Sequence, residues 1–143
     1  MLIVFDENIP RCIVDIINLI DNDREIEISS IQDLNLRGMI DIEICRKIRK
    51  IAGDRKAILV SADKCMTRNS PEVEALSSNG ITIFVCPPSF CSKNTYDRCI
   101  YLMNAWKGIK ELSIRLEKRK TFYLPARNPG LTVNEIQKNS KKE

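Results

Sequence analysis

Histidine is absent from the 143 residues and no Cys-x-x-Cys pair occurs. Histidine-based zinc sites, Ser-His-Asp triads and Cys-His nucleophile pairs are thereby excluded, and any catalysis has to rest on carboxylates, lysines or a metal. Long hydrophobic runs are lacking too. The apolar opening from Met1 stops at Asp6, and no later run approaches the roughly 18 uncharged apolar residues of a membrane span, so the sequence reads as having neither a secretory signal nor a membrane anchor. The six cysteines, Cys12, Cys45, Cys65, Cys86, Cys91 and Cys99, mostly sit inside apolar periodic segments. They lack the clustered loops of a disulfide scaffold and read as reduced thiols of a cytoplasmic protein. Only Lys64, beside Cys65, stands where it would depress a thiol pKa, so a redox role ranks low.

At 16.4 kDa, with 43% hydrophobic and 29% charged residues, the chain fits one soluble globular domain and can bury a core without disulfides or a structural metal. No internal repeat or linker divides it. The net charge of +4 is uneven: from Lys107 onward there are 10 basic and 4 acidic residues. A basic rear suits a phosphate-bearing partner, although a solvated helix face with a lysine-rich tail has the same pattern.

The spacing predicts alternating strands and helices. Residues 2–5 and 57–60 are short continuous apolar runs, as in strands buried on both faces of a parallel sheet. Residues 9–20, with Asn8 as cap and Pro10 in the first turn, read as a helix with Ile13, Ile16, Ile17 and Ile20 on one face. A strand over 26–31, a helix over 41–52 closed by Gly53, a helix from Ser70-Pro71 to Ser78 and a strand over 81–86 follow. A long helix over about 95–120 ends on Lys118-Arg119-Lys120, and residues 121–124 supply an edge strand. Trp106, in register with Leu102, Met103 and Ile109, belongs to its core-facing side. One domain spans 1–136, with its core in 1–88, and residues 137–143 form a mobile basic tail.

In an open parallel sheet, ligands lie beyond the carboxyl ends of the strands where the strand order reverses. Asp6, Glu7 and Asn8 follow the first strand, Asp63 follows the third, and Asp41 opens the helix between. With the first and third strands adjacent, Asp6 and Asp63 face each other and three acids converge. Such a cluster stays ionised only beside a counter-charge, and without histidine the hard ions Mg²⁺ or Mn²⁺ suit it better than zinc. Singly, each acid has an ordinary explanation: a strand end, a helix cap, a βα turn. Arg68 and Asn69, ahead of a capped helix, make a natural phosphate holder beside Asp63.

The residues Asp6-Glu7-Asn8-Ile9-Pro10, Asp41 and Ser61-Ala62-Asp63 resemble those of compact PIN-like domains. Residues 63–72 and the strand after them are similar to the branch typified by VapC-type toxins of bacterial toxin–antitoxin pairs. The resemblance covers about 1–88 well and the long helix more loosely. It implies an α/β three-layer sandwich with a mainly parallel sheet, first and third strands adjacent, and a long C-terminal helix. It also implies a metal-dependent ribonuclease site of Asp6, Asp41 and Asp63, with Glu7 and Glu72 as lesser candidates, and by analogy an antitoxin protein as partner. Cys65 departs from the pattern, because many relatives carry a second aspartate there and a thiol is a poor ligand for Mg²⁺.

The first functional reading is therefore a Mg²⁺- or Mn²⁺-dependent endoribonuclease. Asp6 and Asp63 are its metal ligands, Asp41 is a ligand or water-positioning base, Glu7 is a further ligand candidate, and Asn8, Lys64, Arg68 and Asn69 hold RNA phosphates. A degenerate PIN-like domain that binds RNA or protein without cleaving is the alternative, favoured by Cys65. A phosphoacceptor receiver domain ranks below both, because Pro87-Pro88 stands where its lysine belongs. The oligomeric state, monomer or homodimer, is open at this level.

Overall fold

Leu2–Phe5 has apolar side chains for both faces of a sheet, and this places it at the centre of the fold: Ile3 and Phe5 are buried in one layer, Leu2 and Val4 in the other. The structure is a computed structural model that describes residues 1–39, 41–63, 71–126, 136, 137, 139 and 140, without the side chains of residues 41, 72 and 73. In chain order its elements are β1 (Leu2–Phe5), α1 (Arg11–Ile20), β2 (Glu27–Ser30), α2 (Asp41–Ala52), β3 (Ala57–Ser61), α3 (Pro71–Ser78), β4 (Ile81–Val85), α4 (Thr95–Arg115) and β5 (Thr121–Tyr123). A 3₁₀ turn over Pro88–Ser92 precedes α4. The sheet has the order β2-β1-β3-β4-β5, every pairing is parallel, and β1 and β3 are adjacent as the sequence predicts.

Two apolar clusters make this a three-layer sandwich. On one face α1 and α4 cover Phe5, Val60, Phe84 and Phe122; on the other α2 and α3 cover Val4, Leu59 and Ile83. The first layer is clasped by a half-buried polar contact. Asp21, just past α1, accepts from Trp106 Nε1 at 2.8 Å and from Lys110 Nζ at 3.0 Å. Burial alone would raise the Asp21 pKa, but the hydrogen bonds from Lys110 and Trp106 outweigh it and hold the carboxyl below its ordinary value. Trp106 is thus buried and structural, as its register implies.

Several boundaries differ from the sequence reading. Helix α1 begins at Arg11, after Pro10 in an extended conformation, and Asn8 does not cap it. The Asn8 N–H donates instead to Asp6 Oδ1 at 3.0 Å, closing a turn that also joins Ile9 N–H to the Asp6 carbonyl. Ile16 and Ile20 face solvent, and Val14 joins Ile13 and Ile17 in the core. Helix α4 stops at Arg115, short of Lys118-Arg119-Lys120. Its 21 residues already span about 30 Å, against roughly 17 Å for a five-residue strand, so the chain has to leave the helix and turn back to start β5 parallel to β4. The cation at its C-terminus comes from across the fold: Lys56 Nζ donates to the Ile114 carbonyl at 2.7 Å. The docked chain also reaches past 137. Ile136 is fully buried, Asn139 Nδ2 donates to the Tyr123 carbonyl, and Ser140 Oγ accepts from the Tyr123 N–H. Among the described residues no helix is long and apolar enough to cross a membrane, and the five described cysteines form no disulfide.

Candidate active site

The strand order reverses between β1 and β3, so the crevice that such sheets use for ligands opens at the carboxyl ends of these two strands. Register decides which side chains meet there. Phe5 pairs with Val60, and the Asp6 N–H continues the ladder to the Val60 carbonyl at 3.0 Å, which brings Asp6 opposite Ser61. The Ser61 hydroxyl donates to Asp6 Oδ2, the Ala62 N–H donates to the same oxygen at 3.0 Å, and the Asn8 N–H occupies Oδ1. Ser61 Oγ in turn accepts from the Asp63 N–H at 3.1 Å. One hydroxyl, donor to one acidic residue and acceptor from the other, therefore sets their spacing.

Asp6, Glu7, Asn8 and Asp63 form the polar side of a crevice of about 60 Å³, and Ile31, Leu59 and Leu76 are part of its apolar wall. Since one water needs at least about 10–15 Å³ of such space, an ion with a few waters fits. The apolar wall has an electrostatic consequence. Burial pushes the Asp6 pKa up to about 6 from an ordinary 3.8; the charge of Asp63 adds to the rise, and the hydrogen bonds from Ser61, Ala62 and Asn8 oppose it. Glu7 stands at the rim, its carboxylate 4.0 Å from Arg37 Nε.

The structure thus brings together Asp6, Asp63, Glu7 and Asn8. Asp41 begins α2 where expected, but its side chain lies outside the described residues, as does that of Glu72. Lys64, Cys65, Arg68, Asn69 and the Ser70 cap also lie outside them. Among the described residues no group of three or more acidic or thiol side chains is close enough to hold an ion. The donors present nonetheless fit a hard divalent cation, since Mg²⁺ keeps several waters and is commonly bound through one or two carboxylates. Asp6 Oδ2 carries two hydrogen bonds and Oδ1 one, which leaves a lone pair on Oδ1 for a ligand.

Ser61 is the functional residue the sequence reading passed over, although aligning the apolar runs 2–5 and 57–60 places it opposite Asp6. We expect Ser61→Ala to lower divalent-metal affinity or activity by about 10- to 100-fold, as loss of a group that orients a ligand usually does. Calorimetric titration with Mn²⁺ checks this. A second consequence concerns pH. Because the folded Asp6 binds its proton more tightly than the unfolded carboxyl, its own contribution to metal-free stability is full below about pH 4 and falls by up to about 3 kcal/mol as pH rises through 6. Denaturant titrations in chelator should show Asp6→Asn without this contribution; parallel profiles for variant and wild type would refute it.

The fold is thus an all-parallel α/β sandwich with two acidic residues, Asp6 and Asp63, at its switch point. A family model described as a PIN-like domain matches residues 1–88, more than half of the chain. The chain belongs to the PIN-like domain family, whose members are generally nucleases. No curated protein and no solved structure matches it.

Proposed function

We propose that the protein is a Mg²⁺- or Mn²⁺-dependent endoribonuclease that hydrolyses RNA phosphodiesters. The observation that carries this reading is the Asp6 carboxylate, desolvated and fixed by three hydrogen bonds beside Asp63 at the β1/β3 switch point. Asp6 and Asp63 would hold the cation, with Asp41 and Glu7 as further oxygen donors. When bound, such an ion lowers the pKa of water and offsets the charge that grows on a phosphodiester under attack. The chain's own groups do the rest. Ser61 and the Ala62 and Asn8 amides hold the Asp6 carboxylate in one orientation, so little reorganisation remains when substrate arrives. The apolar wall keeps bulk water from screening the site. Asn8, Lys64, Arg68 and Asn69 would position phosphates.

The similarity of residues 63–72 to the VapC-type branch supports a narrower role, that of a cytoplasmic toxin restrained by an antitoxin protein. The test is incubation of the purified chain with single-stranded RNA in Mg²⁺ or Mn²⁺. Cleavage that stops in chelator and returns with added metal is expected. Persistent cleavage in excess chelator would contradict the proposal, and metal-dependent RNA binding without cleavage would favour a degenerate domain.

A further inference from the structure

The opposite end of the sheet carries a second cavity, with a volume of about 200 Å³. It lies where β3 and β4 begin, beside Ala57 and Thr82, a strand length or roughly 17 Å from the acidic crevice. Its charge is the reverse of the crevice's. Five cationic side chains line it, Arg49, Arg55, Lys56, Lys118 and Arg119, against the two acidic ones of Asp54 and Glu117.

The fold itself fixes three of these cations. Arg55 Nη1 pairs with Glu27 at 2.7 Å, so its charge is neutralised. Arg49 and Lys56 are held by carbonyls instead: Arg49 donates to Gly53 at 2.7 Å, to Gly80 at 3.5 Å and to the Arg55 carbonyl, and Lys56 to Ile114 at 2.7 Å and Ser113 at 3.3 Å. Neutral acceptors fix a charge without cancelling it. Among the described residues neither side chain forms an ion pair, nor do Lys118 and Arg119 in the segment after α4. Four such cations around one cavity repel one another, and Asp54 and Glu117 offset only part of their charge.

Hydrogen-bonding capacity is left over in the same place. A guanidinium has five N–H donors and an ammonium three. Arg49 uses three of its donors and Lys56 two, which leaves two on the arginine and one on the lysine. Thr82 is only 5% exposed; its hydroxyl accepts from the Lys120 N–H at 3.3 Å and, among the described residues, donates to nothing. Donors from α2, from the residue ahead of β3 and from β4 thus border one space.

We propose that this cavity is a phosphate-binding site, separate from the acidic crevice. Negative charge answers the cations that no acid neutralises. A tetrahedral phosphate also directs oxygens several ways at once, which suits donors arriving from three chain segments better than the two oxygens of a planar carboxylate do. No aromatic side chain lines the cavity among the described residues, so nothing there offers a base a stacking surface. The ligand is recognised through its phosphate, whether that is a free phosphate or one in an RNA backbone. The site does not rest on the nuclease reading, because it uses none of the acidic residues of the crevice.

Calorimetric titrations of metal-free protein, with inorganic phosphate and separately with a single-stranded RNA bearing a 5′-hydroxyl end, test this. Saturable binding of phosphate is expected in wild type. Thr82→Val should weaken it by about 10-fold, as loss of a hydrogen bond to a charged group does, and Thr82→Ser should restore it. The double variant Lys118→Ser, Arg119→Ser, changed only at exposed positions, should also lose roughly 10-fold. Lys107→Ser, which removes an exposed cation elsewhere on α4, should bind as wild type does. Circular dichroism should show every variant folded. RNA affinity that falls in the same variants would assign the site to backbone phosphates, and RNA affinity unchanged in them to free phosphate; both results support it. The proposal is overturned if neither ligand binds saturably, or if Thr82→Val and the Lys118, Arg119 double variant weaken neither ligand more than Lys107→Ser does.

Discussion

Asp6→Asn and Asp63→Asn should each abolish metal-dependent RNA cleavage while leaving the fold intact. Both changes keep side-chain size and remove a formal charge from a crevice in which burial already disfavours the charged form of Asp6. In metal-free protein the loss of charge relieves repulsion between the two acids, so neither variant should melt much below wild type. In the presence of metal the same change removes a ligand from a site with few donors, and cleavage falls to background. Fold and activity separate because β1 and β3 stay joined by backbone bonds, Asp6 N–H to the Val60 carbonyl among them; Asp6→Asn keeps one oxygen for Ser61 and Ala62 but turns its amide toward the Asn8 N–H, so it should melt slightly below Asp63→Asn. Circular dichroism melts beside cleavage assays check this. A variant that keeps substantial cleavage would remove that residue from the site, and one that unfolds would make its role structural.

Trp106→Ala should destabilise the protein by about 3–5 kcal/mol, the range for emptying a large buried side chain. Two losses combine. The indole packs in the α1/α4 layer with its ring centroid 6.1 Å from that of Phe5, so truncation opens a cavity against the central strand. Its Nε1 also donates to Asp21, which keeps only Lys110 and a local backbone amide as hydrogen-bond partners once the indole is gone. For a domain of this size the shift should lower the melting temperature by roughly 10 °C or more. Trp106→Phe, which refills much of the volume without the N–H, should lose distinctly less. Equal melting of wild type and Trp106→Ala would place the indole outside the core.

The sheet order was legible because burial on both faces leaves an unmistakable pattern: Leu2-Ile3-Val4-Phe5 and Ala57-Ile58-Leu59-Val60 admit few arrangements other than neighbouring central strands. Asp6 and Asp63 followed from that order. The helix ends were harder, because they depend on tertiary partners. Lys56, distant in sequence, takes the α4 carbonyls that Lys118 to Lys120 were expected to serve, and the need to begin β5 decides where α4 stops. Periodicity also misjudged α1. Ile16 and Ile20 continue an isoleucine series that looks like core, yet the sheet covers only the side bearing Ile13, Val14 and Ile17. Ser61 was visible but ordinary, a polar residue closing a strand, and acquires meaning only when the register sets it against Asp6.

Mn²⁺ binding to the RNA-free protein, followed by the loss of the free-ion paramagnetic resonance signal, tests the central claim most directly. Wild type should show saturable binding that weakens steeply in Asp6→Asn and in Asp63→Asn. Binding of unchanged affinity in both variants, or no saturable binding in wild type, would contradict a metal site at the β1/β3 crevice.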